Sequence, residues 1–224
     1  MKFYLINGSN RKKYNTAKVL DSVAEGIADK LGEEKVENFK ISIVNLYDLE
    51  YKGCKSCFHC KKIEGKYYGQ CPIKDDLQTL LPKIWNCDGL VLASPIYFGN
   101  VTGEMRSFLE RLFFPKFVYG KETLAKSKPN AFIYTMNVTQ EMGEKLYSKS
   151  VYDNIEGYLE YTFGKPYSQK VYDTYQFKDY SLYENYIFNE EDKAKVRDEQ
   201  FPKDLEEAYK LGVQIVADSL CNNE

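Results

Sequence analysis

Residues 2–31, KFYLINGSNRKKYNTAKVLDSVAEGIADKL, decide the fold. Apolar and aromatic side chains crowd Lys2–Asn7, as in a strand buried on both faces, and a short polar loop follows. Near Asn15 the period changes. Val19, Leu20, Val23, Ile27 and Leu31 recur at spacings of three and four, the apolar stripe of an amphipathic helix with its charges opposite. A buried strand passing through a tight loop into such a helix opens a parallel crossover unit.

The alternation repeats downstream. Strand-like runs at Ile41–Leu46 (ISIVNL), Gly89–Ala93 (GLVLA), Asn130–Thr135 (NAFIYT) and Lys170–Tyr175 (KVYDTY) are separated by helical stretches. Met105, Phe108, Leu109 and Leu112 stripe one helix, and Leu205, Ala208, Tyr209, Gly212, Ile215, Val216 and Leu220 stripe the last. Asp75 and Gln78 have capping-box spacing, and Pro82 is expected to kink or shorten the helix that follows them. The pattern predicts an α/β fold, a doubly wound, five-stranded parallel sheet of order 2-1-3-4-5. Ligands of such a sheet sit beyond the carboxyl ends of its strands, where the strand order reverses. One domain over 1–224 holds all five units. Two segments exceed ordinary connections: a cysteine-rich loop at 53–74 and an insertion or arm at 176–202.

Composition narrows the function. Lys and Arg total 31 against 33 Asp and Glu, and the basic residues are scattered, so nucleic acid is not an expected partner. No apolar run approaches membrane-spanning length, so no membrane partner is expected either. Met1 leads straight into a strand pattern without a cleavable leader, and the expected location is cytoplasmic. Four of six cysteines fall between Cys54 and Cys71, which speaks for metal or working thiols rather than disulfides. Cys87, before a buried strand, and Cys221, at a helix end, read as bystanders.

The loop after the first strand ends at a helix amino terminus, where unpaired N–H groups and the helix dipole favour an anion. Ser9, Asn15 and Thr16 add hydroxyl and amide donors, and Arg11 adds a charged fork suited to phosphate. Neither G-x-x-x-x-G-K-[ST] nor G-x-G-x-x-G is present, so a phosphate monoester fits best. The plainer alternative is a capped helix with a solvated arginine. After the third strand, SPIYFGNVTGEMRSFLERL (94–112) places apolar and aromatic residues where they cost hydration unless they cover something. A planar ring would suit them, Gly99 and Asn100 allowing close backbone approach. A loop packed on its own helices or on a subunit partner is the other reading.

These motifs, G-S-N-R…N-T and S-P-I-Y-F-G-N…G-E-M-R-S-F-L-E-R, resemble the NADPH-dependent FMN reductase and iron–sulfur flavoprotein family, within the flavodoxin-like superfamily. The resemblance spans roughly residues 1–137. It implies a flavodoxin-like fold with bound FMN, its phosphate held by Ser9, Arg11, Asn15 and Thr16. It further implies that Pro95, Ile96, Tyr97, Phe98, Gly99 and Asn100 border the isoalloxazine, with Met136 and Asn137 as a third flavin-facing loop. The implied activity is an oxidoreductase taking hydride from NAD(P)H and reducing a quinone, a flavin or another small acceptor, in a homo-oligomer (dimer or tetramer). Two alternatives stay open: an electron carrier between protein redox partners, and an FMN-binding module without turnover. No side chain is assigned a catalytic role.

CKSCFHCKKIEGKYYGQCP (54–72) spaces Cys54, Cys57 and Cys60 by two residues each, with Cys71 and Pro72 further on. The spacing is ferredoxin-like except for its longer last gap. A [4Fe–4S] cluster, a structural Zn²⁺ and free thiols are the three readings. His59, the only histidine, is expected to be an exposed loop residue. YDTYQFKDYSLYENYIF (172–188), dense in tyrosine, suits a lid or a wet interface. It is expected either to fold onto a partner subunit's flavin site or to pack on its own chain.

Overall fold

A computed structural model describes residues 1–222. The strands are β1 (Lys2–Asn7), β2 (Lys40–Asn45), β3 (Gly89–Tyr97), β4 (Asn100–Val101), β5 (Asn130–Thr135) and β6 (Tyr167–Val171). Five run parallel in the order β2-β1-β3-β5-β6, and β4 pairs antiparallel with the end of β3. The sheet therefore has six strands rather than the five expected. Phe98 and Gly99, both with positive φ, turn the chain back so that Val101 meets Ile96. A two-residue strand carries no period by which sequence could reveal it. The last strand also lies earlier than expected, at 167–171 instead of 170–175. Its residues, YSQKV, form an edge strand of mixed polarity, and Asp173, at φ +54°, turns the chain away just beyond it.

Seven α-helices follow among the described residues: α1 (Asn15–Glu33), α2 (Leu77–Trp85), α3 (Gly103–Phe113), α4 (Gln140–Tyr147), α5 (Asp153–Phe163), α6 (Glu190–Lys195) and α7 (Phe201–Cys221). Alternate strand residues face opposite ways. Phe3, Leu5, Val91 and Ile133 meet α1 and α7 on one side; Tyr4, Ile6, Leu90, Leu92 and Phe132 meet α2, α3 and α5 on the other. The inner strands β1, β3 and β5 are thus buried on both faces, which is why they read as continuous apolar runs. Helices α1 and α7 approach to backbone contact at Gly26 and Gly212. A methyl carbon at Gly26 would lie 2.1 Å from the Tyr209 carbonyl oxygen, and one at Gly212 2.2 Å from that of Val23.

Pro82 lies within the short α2, but no capping box forms. Gln78 donates its backbone N–H to the Asp75 carbonyl, and the Asp75 carboxylate is drawn to Arg111. Among the described residues no helix is long and apolar enough to cross a membrane.

The tyrosine-rich core has a pH signature. Burial, first among the causes, raises the phenol pKa of Tyr51, Tyr134, Tyr172 and Tyr152, the last to about 12. In the unfolded chain these groups titrate near pH ~10. Above that the unfolded state sheds protons that the folded state keeps, so the stabilisation is complete below pH ~10 and is lost as pH rises. The urea midpoint should accordingly fall steeply above pH ~10, with part of the tyrosinate absorbance appearing only on unfolding. A midpoint independent of pH up to ~12 would contradict this assignment.

Candidate functional site

The strand order reverses between β1 and β3, and the loops leaving their carboxyl ends are tied to each other. Gly8 donates its N–H to the Ala93 carbonyl at 2.7 Å. Thr102 accepts the Met105 N–H at 3.2 Å, capping α3, and donates its hydroxyl to the Gly8 carbonyl at 2.8 Å. Its own N–H reaches Ser94 Oγ at 3.1 Å. Ser9 N–H bonds Asn7 Oδ1 at 2.9 Å, and Ser9 Oγ accepts the Arg11 N–H at 3.2 Å. These local bonds steer the chain into α1, whose amino terminus has no side-chain cap. Its leading N–H groups keep their capacity for an external anion.

A crevice of about 90 Å³ opens at this point, lined by Ser9, Arg11, Asn15, Thr16, Pro95, Ile96, Tyr97, Met136 and Asn137, all expected from sequence. Phe98, Gly99 and Asn100 do not line it; they form the exposed tip of the β3–β4 turn. Tyr14, Thr135, Thr174 and Gln176 line it unforeseen. Thr16 and Thr135 share a hydrogen bond between hydroxyls at 2.7 Å, and the Arg11 guanidinium stacks 3.6 Å from the Tyr14 ring centroid. Thr174 and Gln176 follow β6, so correct placement of that strand would have marked them as candidates.

The segment after β6 folds over its own chain's loop. Arg11 donates to the Gln176 carbonyl at 2.8 Å, Asn15 to the Tyr175 carbonyl at 3.0 Å, and the Asn137 amide to Gln176 Oε1 at 2.9 Å. Lys193, in α6, donates to the Asn137 carbonyl and pairs with Asp173. Tyr175 and Gln176 thus bind their own chain's loop, while Leu182, Tyr183, Tyr186 and Ile187 further along the arm are exposed. The crevice thus gathers a guanidinium, an amide, hydroxyls and an uncapped helix end with no carboxylate on its wall. That donor set fits a phosphate monoester. Its volume equals about three waters, room for the phosphate end, while Tyr97 and Phe98 offer exposed aromatic surface at the mouth for a ring.

Cys54, Cys57, Cys60 and Cys71 border one small cavity together with Phe58, Arg111 and Phe114. All are free thiols. Ser56 and Phe58 take positive φ (50° and 57°), and the Ser56 N–H points at Cys54 Sγ at 3.5 Å. The loop is held by α3 and its exit: Glu110 accepts the Cys54 N–H at 3.0 Å, and Lys61 donates to the Phe114 and Phe117 carbonyls. Arg111 donates to the Lys52 carbonyl at 2.9 Å and forks onto Asp75 at 2.8 and 3.0 Å. Burial raises the pKa of the Cys60 thiol, partly offset by Lys61. Among the described residues no three His, Cys, Asp or Glu side chains stand close enough to share one ion. Four thiols bordering one cavity are the donor type that a [4Fe–4S] cluster or a zinc ion takes. His59 is exposed.

The family model for NADPH-dependent FMN reductases matches residues 1–153. An iron–sulfur flavoprotein of Archaeoglobus fulgidus is 40% identical over 111 residues, covering 50% of this chain and 48% of that protein. One from Methanocaldococcus jannaschii is 34% identical over 111 residues, covering 50% and 51%. The chain spans about half the length of these curated relatives. Among solved structures, an NAD(P)H:quinone oxidoreductase from Methanothermobacter marburgensis superposes with TM-score 0.67 at 14% identity, over 95% of this chain and 94% of that one. An azoreductase from Bacillus anthracis gives 0.65 at 13%, over 96% and 99%. Those likenesses establish the fold, which a structure titled as an archaeal flavodoxin shares (TM-score 0.52 at 13% identity, over 98% and 99%). With the family match running through both loops that build the crevice, the chain belongs to the NADPH-dependent FMN reductase family.

Proposed function

We propose that this chain binds FMN in the crevice and works as an oxidoreductase, drawing hydride from NAD(P)H and reducing a quinone, a flavin or another small acceptor. The convergence of Arg11, Ser9, Asn15 and the uncapped α1 terminus on one cavity carries the reading. Ser9, Arg11, Asn15 and Thr16 hold the phosphate. Pro95, Ile96 and Tyr97 border the ring on one side and Met136 and Asn137 on another, with Phe98, Gly99 and Asn100 at the rim. When bound, FMN supplies the hydride-accepting centre, and the protein contributes position, dryness and electrostatics. Hydride transfer needs no side-chain acid or base, so no residue is given that role. The named activities of the quinone oxidoreductase and azoreductase neighbours support a small acceptor. A second copy of the chain and a cytoplasmic setting belong to the same proposal.

A second reading is an electron carrier in which Cys54, Cys57, Cys60 and Cys71 hold a [4Fe–4S] cluster. The four thiols around one cavity favour it, and relatives named iron–sulfur flavoproteins support it. The visible spectrum of anaerobically purified protein, with iron, zinc and acid-labile sulfide assayed alongside, tests both. Flavin bands with NAD(P)H oxidation and negligible iron would establish a cluster-free reductase; iron and sulfide near ~4 per chain would establish the cluster. Failure to retain flavin after incubation with FMN would overturn the assignment of the crevice.

A further inference from the structure

Arg111 is the buried cation on the wall of the four-cysteine cavity. Its side chain is 1% exposed, and its terminal nitrogens are committed to the Lys52 carbonyl and to both Asp75 oxygens. Lys52 precedes Cys54 and Asp75 follows Cys71, so one guanidinium clasps the two ends of the cysteine loop. Among the described residues the buried Nε–H finds no partner at hydrogen-bond distance, and the side chain it is drawn towards is that of Cys71. A buried donor left unmade is costly, and a native structure seldom tolerates one without a reason. Cys71 lies in electrostatic contact with this guanidinium. Lys61 is spent on carbonyls, Lys55 is solvent-exposed, and Glu110 brings negative charge to the same wall.

We infer that Arg111 is a positioning residue for the four-cysteine site, its Nε–H and charge meant for the sulfur of the group held there. The inference rests on the cluster reading above. Four thiolates and an iron–sulfide core together would form an anion, and adding one electron would increase its negative charge by one. A cation and an N–H···S bond at its edge favour the reduced form, because hydrogen bonds and local charge set the potential of such clusters. The neighbouring Asp75 carboxylate acts with opposite sign.

The test compares wild type, Arg111→Gln, Arg111→Lys and Asp75→Asn after anaerobic reconstitution with iron and sulfide. Iron and sulfide are counted, and the cluster is titrated with dithionite, the one-electron reduction being followed by electron paramagnetic resonance. Circular dichroism and FMN content check the fold. At a fixed potential the reduced-to-oxidised ratio should fall about tenfold in Arg111→Gln and less in Arg111→Lys. It should rise in Asp75→Asn, a reversal that loosening of the loop would not produce. A loaded wild type with an unchanged potential in Arg111→Gln overturns the inference and leaves the cluster standing. A wild type that takes up no iron and sulfide overturns both. Should Arg111→Gln not fold, an unchanged or lowered potential in Asp75→Asn overturns the inference equally.

Discussion

Gly26→Ala and Gly212→Ala should each destabilise the protein by about 3 kcal/mol, enough to lower Tm by roughly 6–12 °C in a chain of this size. The added methyl carbons would lie 2.1 and 2.2 Å from backbone oxygens of the opposing helix. Backbone cannot rotate aside as a side chain can, so α1 and α7 must separate. That separation opens the packing of Val23, Ile27, Ile215 and Val216 on the sheet. Because α1 begins at the loop proposed to hold the FMN phosphate, FMN retention should decline with stability. Gly32→Ala, in the same helix but with nothing within 4 Å of the new carbon, should stabilise by about 0.5–1 kcal/mol. Equal effects at all three positions would show that helix propensity, not close approach, governs these glycines. The comparison is a set of thermal or urea transitions.

Arg11→Met should weaken FMN binding about ten- to hundredfold while leaving riboflavin affinity nearly unchanged. The two ligands differ by the phosphate alone. Arg11 lies on the crevice wall, its guanidinium stacked on Tyr14 and oriented by the Gln176 carbonyl, so its charge is held in place. Methionine keeps much of the apolar stem and removes the donors. Fluorescence quenching titrations with both flavins decide the matter. A parallel loss for FMN and riboflavin would indicate collapse of the loop instead of a lost phosphate contact, and no loss for either would remove Arg11 from the site.

How much of this was legible depended on how local the cause was. β1, α1, β5, α3 and α7 could be read from apolar runs and stripes, since each is specified by neighbours along the chain. The loops after β1 and β3 were legible as candidates because a strand–loop–helix sequence fixes which end of the sheet they occupy. β4 was not legible, being two residues long and made by a turn at Phe98 and Gly99. β6 was misplaced because an edge strand shares one face with solvent and carries a weak pattern.

By itself the sequence determined the α/β class, the family, the polar loop after β1 and the clustering of four cysteines, all of which lie in short contiguous stretches. Only the tertiary structure decided that Phe98, Gly99 and Asn100 stand outside the crevice and that Thr135, Thr174 and Gln176 stand inside it. It also placed Tyr175 and Gln176 against the loop after β1, through Asn15 to Tyr175 and Arg11 to Gln176, pairs separated by 160 and 165 residues. The clasp of Arg111 on Lys52 and Asp75 belongs to the same class. Hydrogen-bond partners that far apart are chosen by how the chain closes around its core, and no local spacing records that choice.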